Sequence, residues 1–307
     1  MNYPKPILYL SKDEKYGPMD VNEYMSFCSL KDERDDSTLL SMPLTDASLD
    51  NVMSGSDSVY FYMTPENKED TYKGSLDDAT TTVYYRVHQE GEYTRVLYSF
   101  FFPYNSGYNI PVIGLKGEHE ADWEHVSFYY KDNRLIKARY SAHGEMEGQW
   151  LTSDELEYDN GRPIIYFATG SHACFQSEET WFRVYGLAND NTSRGKQWNP
   201  SKWIEMPDDV NTSREKGLSW LYFRGSFGKD GISSPRTREW WSREPEHDAT
   251  FLNRALRIHE IADAIEDITD DAQREFERIQ QEAQKAFLEK QRAANKKIMN
   301  FRRMVFK

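Results

Sequence analysis

The sequence predicts a mainly β protein: an antiparallel β-sandwich with a C-terminal amphipathic α-helical segment. Aromatic residues make up 14% of the chain and are concentrated between residues 60 and 240, in runs that favour β-structure. Turn signals separate these runs, and none of them has the length and periodicity of a helix. After Pro245 proline is absent and apolar residues recur at helical spacing.

The predicted strands are short runs rich in aromatic and β-branched residues. They are VYYRVH (83–88), YTRVLYSFFFPY (93–104), DWEHVSFYY (122–130), LIKARYSAH (135–143) and PIIYFAT (163–169). Gly, Asn and Asp mark the turns between them, and short strands joined in this way are typical of antiparallel folds. We therefore assign residues 1–245 to the sandwich. Its first residues, up to about position 60, form either part of the sandwich or an accessory segment.

Residues 246–307 form the predicted helical tail. Its first stripe consists of Leu252, Ala255, Leu256, Ile258, Ile261, Ala262, Ile265 and Ile268, and a weaker stripe follows a break at 267–271. The end of the tail is basic, since residues 285–307 hold eight Lys and Arg and one acidic residue. A basic amphipathic helix suits an anionic membrane surface. Packing against the sandwich, or homo-oligomerisation through a second copy, is the alternative.

Composition and charge narrow the classes of partner. The net charge of -13 argues against a nucleic-acid binder that works through bulk charge. The two cysteines, Cys28 and Cys174, allow at most one disulfide and no disulfide framework. The sequence shows no classical signal peptide and no apolar membrane span. We therefore expect a protein made in soluble form, either cytoplasmic or secreted by a non-classical route.

The stretch GEHEADWEHV (117–126) places an unusual density of ionisable groups at the start of an apolar strand. Strand alternation puts Asp122 and Glu124 on one face and Trp123 and His125 on the other. His119 precedes them and could fold back toward the carboxylates. An O,O,N set of this kind suits a divalent cation such as Mg, Ca, Mn or Zn. The alternative is that these groups pair with neighbouring Arg or Lys, or line a solvated rim.

Two further histidines lie in glycine-flanked turns after predicted strands, His143 in YSAHG and His172 in ATGSHACF. If those strands run side by side, both rings could converge on Asp122 and Glu124 at one end of the sandwich, where loops on a rigid scaffold commonly carry sites. A single histidine is, however, more often a structural residue than a ligand.

No nucleophile signature emerges. Cys174 lies two residues from His172, but its apolar neighbours favour a buried thiol. Ser171 lacks the G-x-S-x-G elbow, and the chain contains no P-loop, dinucleotide fingerprint or H-E-x-x-H helix.

Three short motifs, DWEHV (122–126), SAHG (141–144) and GSHA (170–173), resemble successive motifs of the vacuolar-protein-sorting-associated protein 62 family. PILYLSKDEKYGPMDVNEYM (6–25) is similar to that family's opening. WLYFRGSFGKDGISSPRTREWW (220–241) resembles its R-G-x-[WF]-G motif followed by a proline and a tryptophan pair. The resemblance spans residues 6–241 with gaps and implies a sorting or scaffold role.

A more distant resemblance is to the necrosis- and ethylene-inducing-protein-like cytolysins, which carry G-H-R-H-D-W-E on a β-sandwich and bind a divalent metal used to engage sphingolipid head groups. It implies metal-ligand roles for Asp122, Glu124 and His119. Around them, Trp123, His125, Ser141 and Gly144 are candidate binding residues. This chain departs from the pattern in two ways. Its motif is one residue longer, and the aspartate that the cytolysins carry about ten residues upstream of the motif is missing, since positions 105–117 offer only Asn105 and Asn109.

Three functions follow as hypotheses. The first is a toxin-like or effector-like protein that engages a membrane lipid or glycan head group, with or without a metal. The second is a metal-dependent hydrolase in which the cation activates water. The third is a non-catalytic sorting or scaffold protein whose polar cluster is structural.

Overall fold

The computed structural model describes residues 3–53, 55–76, 80–110, 114–143, 148–181, 188–229 and 231–245, together with positions 278, 281 and 285. The predicted helical tail at 246–307 lies outside the described residues except for those last three positions, which are helical. Among the described residues, no helix is long and apolar enough to cross a membrane.

The chain divides into two compact units. The first comprises Met1–Gly107, Gly117–Glu179 and Asn191–Ala249, and the second comprises Tyr108–Lys116, Thr180–Asp190 and Thr250–Lys307. The residues before position 60 therefore belong to the first unit. In the second unit, Tyr108 donates a hydrogen bond to the Asp190 carboxylate over 2.7 Å.

The described chain is mainly strand. The strands of its first half are β1 (Ile7–Leu10), β2 (Cys28–Asp32), β3 (Thr38–Leu40), β4 (Phe61–Pro65), β5 (Thr82–Glu90), β6 (Tyr93–Asn105), β7 (Tyr108–Ile110), β8 (Gly114–Lys116), β9 (His119–Lys131) and β10 (Arg134–Ser141). Those of its second half are β11 (Gly148–Thr152), β12 (Tyr158–Asp159), β13 (Arg162–Phe167), β14 (Cys174–Phe175), β15 (Thr180–Trp181), β16 (Asp190–Asn191), β17 (Gln197–Trp198), β18 (Lys202–Glu205), β19 (Ser226–Phe227) and β20 (Ile232–Ser233). The five predicted strands correspond to β5, β6, β9, β10 and β13.

Helices in the described chain are short. The α-helices are α1 (Val21–Ser26), α2 (Asp46–Met53), α3 (Lys68–Tyr72), α4 (Val210–Glu215) and α5 (Glu239–Ser242). Single 3-10 turns span Ser56–Tyr60, Ser153–Glu155, Ser219–Tyr222 and Pro235–Thr237. Asp20 caps α1, because its carboxylate accepts hydrogen bonds from the amides of Asn22 and Glu23.

A six-stranded sheet forms the centre of the first unit, in the order β11-β10-β9-β6-β5-β18. Its longest members, β6 and β9, are 13 residues each and pair antiparallel, with Phe102 opposite Asp122 and Ser99 opposite His125. Because side chains alternate along a strand, each residue of β9 points to one of the two faces of the sheet.

One face of this sheet packs on a second sheet in the order β12-β13-β1-β17, with β14 beside β13. The core between them contains Val126 and Phe128 of β9, Phe100 of β6, Leu8 of β1 and Phe167 of β13. Two sheets packed face to face over an aromatic core confirm the predicted sandwich.

The opposite face carries a second core. Phe101 of β6 and Trp123 of β9 pack there against Tyr24 of α1, Leu30 of β2 and Trp220. The sheet β20-β19-β4-β2-β3 covers this side. The N-terminal 60 residues therefore supply both cores of the first unit, since β1 lies in one layer and α1 with β2 in the other.

Three strand pairs are parallel, β1 with β13, β18 with β5 and β19 with β4. The sequence did not reveal them, because parallel partners are far apart along the chain and no hairpin turn marks their pairing. The antiparallel character of the sheets otherwise agrees with the prediction.

Close packing explains why the RGSFG motif has glycine at its second position, Gly225. A Cβ on Gly225 would lie 2.0 Å from the Phe61 carbonyl oxygen and 2.6 Å from the Phe223 ring. Backbone therefore approaches backbone where β19 joins β4, and only a residue without a side chain fits.

We expect Gly225→Ala to lower the free energy of unfolding by about 2 kcal/mol, because overpacking forces the backbone apart. Urea unfolding at neutral pH measures the loss. The matched control is Gly55→Ala, where the nearest neighbour of the added methyl lies 3.7 Å away and the change should stay within about 0.5 kcal/mol. Equal effects of the two substitutions would contradict this account.

Candidate functional site

Strand β9 divides the charges of the 117–126 stretch between its two faces, as alternation predicts. Asp122 and Glu124 are 5% and 3% exposed and lie on the face that carries Val126 and Phe128. His125 is 2% exposed and lies on the opposite face with Ser127. Burying these groups is costly unless each has a partner, so the two faces must be neutralised separately.

On the first face, Asp122 belongs to a buried group that we call the end cluster, formed by Glu14, Asn105, Asp122 and His172. The Asp122 Oδ2 accepts a hydrogen bond from Asn105 Nδ2 over 3.1 Å and lies 3.1 Å from His172 Nδ1. On the other side of the ring, His172 Nε2 lies 3.7 Å from the Glu14 carboxylate. The imidazole ring therefore stands between two carboxylates.

The end cluster joins three loops at one end of the sandwich. Glu14 follows β1 and accepts a hydrogen bond from the Gly170 amide over 2.7 Å. The Ser106 amide, just after β6, donates to the Gly170 carbonyl over 3.0 Å. His172 adopts a left-handed conformation at φ 57, which turns its ring inward from the tight GSHA turn.

The charge on His172 is set by its neighbours. Burial alone would lower the pKa of the ring, but the Glu14 and Asp122 carboxylates outweigh it and raise the pKa to about 9. His172 in turn lowers the pKa of Glu14 against the effect of burial. The ring is also stacked on Phe102, with centroids 3.8 Å apart. At neutral pH His172 is an imidazolium that holds two carboxylates together.

This arrangement bears on the predicted cation. Both ring nitrogens of His172 face carboxylates. Within the described parts of the chain, no group of three or more His, Cys, Asp and Glu side chains is placed to hold a metal ion. The metal site therefore stays a prediction.

The other three predicted metal ligands are His119, Glu124 and His143. His119 is half-buried at the start of β9, with Nδ1 2.7 Å from the Ala121 carbonyl oxygen. Glu124 is buried one pleat further along β9. His143 is half-buried after β10 in a left-handed conformation at φ 53.

Three of the four predicted binding residues lie in the interior. Trp123 stacks on Trp220 with centroids 5.5 Å apart, and Ser141 is buried opposite Gly148 at the end of β10. His125 belongs to the cluster described next. The fourth, Gly144, lies outside the described residues.

On the second face, His125 and Ser127 meet the segment 238–245, which we call the strap. The side chain of Glu244 is buried between its exposed neighbour Arg243 and half-buried Pro245. Its carboxylate lies 3.2 Å from His125 Nε2 and accepts a hydrogen bond from Ser127 Oγ over 2.6 Å.

Two fully buried arginines complete this strap cluster. Arg95 of β6 donates to Glu244 over 2.6 Å, to the Trp240 carbonyl over 2.6 Å and to Ser127 Oγ over 2.9 Å. Arg139 of β10 places its Nε 3.8 Å from Glu244. The strap is thus held to the sheet by side chains from three adjacent strands.

Glu244 is ionised throughout the ordinary pH range. Burial would raise its pKa, but His125, Arg95 and the Ser127 hydroxyl outweigh burial and lower the pKa to about 2. Burial lowers the pKa of His125 more than Glu244 raises it. At neutral pH the positive charge opposite Glu244 therefore comes from the arginines, and His125 adds to it only when it is protonated at lower pH.

A third feature lies beside the end cluster. Tyr16, Tyr72 and Tyr104 form a half-buried tyrosine patch, in which Tyr104 stacks on Tyr72 at 4.3 Å and meets Tyr16 edge-on at 5.0 Å. Tyr72 donates a hydrogen bond to Glu120 over 2.8 Å. Glu120 also pairs with Lys68. Tyr104 directly precedes Asn105 of the end cluster, so the patch and the cluster share one end of the sandwich.

Neither cysteine is a candidate nucleophile. Cys28 and Cys174 are free thiols in the two cores. Burial raises the pKa of each thiol well above its ordinary value. Both therefore stay protonated and shielded, as the apolar flank of Cys174 predicts.

The prediction from sequence missed Glu14, Arg95, Arg139 and Glu244. A signal existed for the arginines, because each interrupts an apolar strand run, and a buried arginine requires an anionic partner. Nothing local identified Glu14 or Glu244 as those partners. The alternative interpretation named Arg or Lys as partners of the 117–126 charges, whereas Asp122 lies against Asn105 and His172 and the arginines lie in the Glu244 cluster.

The comparisons agree with the resemblances drawn from the motifs. The family model described as vacuolar protein sorting-associated protein 62 matches residues 1–197. Vacuolar protein sorting-associated protein 62 of Saccharomyces cerevisiae is 25% identical, over 77% of this chain and 60% of that protein. TDA6 of the same yeast is also 25% identical, over 77% and 61%. This chain spans about 60% of the length of these curated relatives.

Similar solved structures include one described as "Toxin fold for microbial attack and plant defense", 16% identical over 78% of this chain and 84% of that one, with a TM-score of 0.39. Another is "NLPPya in complex with glucosamine", 15% identical over 66% and 71%, with a TM-score of 0.35. At these values the likeness carries no argument about function.

Asp122→Asn should lower the free energy of unfolding by about 2 kcal/mol in chelator-treated protein, because a neutral amide replaces the carboxylate that accepts a charge-assisted hydrogen bond from His172. Urea unfolding in the presence of a chelator measures the loss. Asp132→Asn, an exposed turn position, is the control and should be neutral. A neutral Asp122→Asn whose wild-type parent gains stability only with a divalent cation would restore the metal interpretation.

Glu244→Gln should cost about 3–5 kcal/mol at neutral pH, because it removes the carboxylate shared by the buried Arg95 and Arg139 and leaves Arg95 with Glu90 alone at 3.4 Å. The folded-state pKa of Glu244 lies below the unfolded value, so the stabilisation is complete above about pH 4.5 and declines as pH falls toward 2. Urea titrations at several pH values should show the gap to wild type narrowing only below about pH 4.5. A gap of the same size at pH 7 and pH 3 would count against the assignment, and exposed Glu215→Gln provides the control.

Proposed function

The chain belongs to the vacuolar protein sorting-associated protein 62 family, and from that premise we propose that it is a non-enzymatic β-sandwich protein that engages a membrane lipid or glycan head group. The proposed contact surface is the end of the sandwich that carries the end cluster and the tyrosine patch. The observation that carries the proposal is the joining of three loops at that end through Glu14, Gly170 and His172.

Loops fixed in this way suit binding. A surface whose loops are already ordered loses less conformational entropy when a ligand arrives, so more of the contact energy appears as affinity. The ion pairs of the end cluster are buried, so they organise the loops without themselves needing to meet the ligand. The exposed residues of the same loops remain available to contact a ligand.

The tyrosine patch supplies suitable contact chemistry. Tyrosine rings offer rigid apolar faces with a polar tip, which suits the mixed apolar and polar surface of a sugar or a lipid head group. Glu120 and Lys68 add charged groups at its edge. Tyr16, Tyr72 and Tyr104 come from three different segments, so the patch depends on the same loop arrangement.

The hydrolase hypothesis receives less support. Its general base would be a histidine near Asp122, but His172 is buried and stands between two carboxylates as a cation. A protonated, enclosed ring cannot accept a proton from water. Our proposal includes no bound cation, because both ring nitrogens of His172 already face carboxylates.

A sorting or scaffold role is the second candidate, and the names of the two yeast relatives favour it. Those names describe proteins longer than this chain. Head-group binding and sorting are compatible, since a sorting protein meets membranes. Our proposal also retains two expectations from the sequence. One is a toxin-like or effector-like role, and the other is contact of the basic segment 285–307 with anionic lipid or with a second copy of the chain.

The test is binding of the full chain to a glycan array and to neutral and anionic vesicles, with Tyr104→Leu beside wild type. We expect selective binding, weakened about tenfold by loss of the ring. Tyr158→Leu removes an exposed tyrosine of β12 and should leave binding unchanged. Absence of binding to every head group, or equal binding by folded Tyr104→Leu, would reject the proposal, and turnover of an ester or phosphoester panel would favour the hydrolase.

A further inference from the structure

At the far end of β6 from the tyrosine patch, three aromatic rings surround one ammonium group. The Nζ of Lys137 lies 4.3 Å from the ring centroid of Trp150, 4.8 Å from that of Tyr129 and 5.1 Å from that of Tyr93. All three distances fall within the range of cation-π attraction. The three rings, which we call the aromatic cage, converge on a single cation position.

The cage is a built feature and not three independent contacts. Tyr93 meets Tyr129 edge-on with centroids 6.1 Å apart, and Tyr129 meets Trp150 at 5.2 Å. Tyr129 is buried, and the Trp150 indole N–H donates to the Pro245 carbonyl over 2.9 Å. Rings held in this way keep their faces turned toward one point.

A β-bulge directs Lys137 into the cage. In the pairing of β10 with β9, Leu135 stands opposite Tyr130 and Lys137 opposite Tyr129, so Ile136 is the extra residue. Without the bulge, Lys137 would face the sandwich core on the side of Phe128. Bulges of this kind re-aim a side chain and recur beside functional sites.

The charges around the cage favour a cation. The Tyr129 hydroxyl lies 3.4 Å from Glu90, and Glu92 hydrogen-bonds Tyr93 and raises its pKa. Two guanidinium groups also contact these rings, since Arg139 lies 5.7 Å from the Trp150 ring centroid and Arg95 lies 5.9 Å from that of Tyr129. Glu90 and Glu244 pair with these arginines and offset their charge, so the ring faces still attract an ammonium group.

Lys137 is a displaceable occupant. Among the described residues no carboxylate pairs with its Nζ, and its stem is long, flexible and half-exposed. A primary ammonium is strongly hydrated and gives up water to enter the cage, whereas a quaternary ammonium has no N–H groups to satisfy. Lys137 can move to solvent without breaking an ion pair to any carboxylate that the structure describes.

We propose that the aromatic cage binds a quaternary ammonium head group of the choline type, with Lys137 as its internal substitute. A membrane lipid is the favoured source, because Ile136 beside the cage is a large apolar residue that is 39% exposed. The lipid source rests on the proposed function, whereas binding of the free cation does not. Tyr93 and Tyr104 stand at opposite ends of β6, so this site is distinct from the tyrosine patch.

The first experiment titrates tetramethylammonium and choline into the full chain by calorimetry, with Trp fluorescence as a second signal. We expect saturable binding that tightens about tenfold in Lys137→Ala, because the competing ammonium is removed. Lys216→Ala removes an exposed lysine at the end of α4, outside the cage, and it should bind as wild type does. Failure of both cations to bind folded Lys137→Ala would overturn the proposal.

The rings are tested in the Lys137→Ala background. Adding Trp150→Leu should abolish binding, and adding Tyr93→Leu should weaken it about tenfold, while Tyr158→Leu, which removes an exposed ring outside the cage, should leave it unchanged. Tyr93→Leu keeps the test decisive if loss of Trp150 unfolds the protein, since Tyr93 is half-exposed. Choline binding that persists without either ring would place the cation elsewhere and overturn the proposal.

The source of the head group is tested with vesicles. Lys137→Ala should bind phosphatidylcholine vesicles more tightly than phosphatidylglycerol vesicles, and free choline should compete. Binding of free choline without preference for phosphatidylcholine would support the cage and overturn the lipid source. Preferential binding of a trimethyl-lysine peptide would do the same and point to a protein ligand.

Discussion

Burial of opposite charges on the two faces of β9 is the constraint on which the rest of the first unit depends. Asp122 faces one core, whereas His125 and its partner Glu244 lie on the other face, and all three residues are buried. Removing one partner from such a cluster costs several kcal/mol, because the remaining charge is left buried and uncompensated. The chain must therefore bring Glu14 and His172 to one face and Glu244 to the other, which draws its distant segments around a single strand.

Much of the local structure could be predicted from the sequence, because it depends on periodicity. The aromatic runs became β5, β6, β9, β10 and β13, and alternation placed Asp122 and His125 on opposite faces. The partners could not be predicted in the same way. Glu14 meets Gly170 across 156 positions of sequence and Arg95 meets Glu244 across 149, and no local pattern identifies a contact over that distance. The bulge at Ile136 likewise follows from how two strands pair and not from the composition of either.

The family motifs also gain a physical meaning. The GSHA turn supplies the cation of the end cluster, and the tryptophan pair positions the strap whose Glu244 neutralises Arg95 and Arg139. Gly225 permits close approach of two backbones. These motifs therefore describe where the chain closes on itself.

The parallel pairing of β1 with β13 has a consequence for how the protein is made. Ile7–Leu10 are synthesised well before their neighbours, which are Ile164–Phe167 on one side and Trp198 on the other. Strand β1 must stay apolar and unpaired by these neighbours until they too have been synthesised, and contacts between such distant segments form slowly. During that interval it is an exposed edge-forming segment, so chaperones have reason to bind this end of the nascent chain.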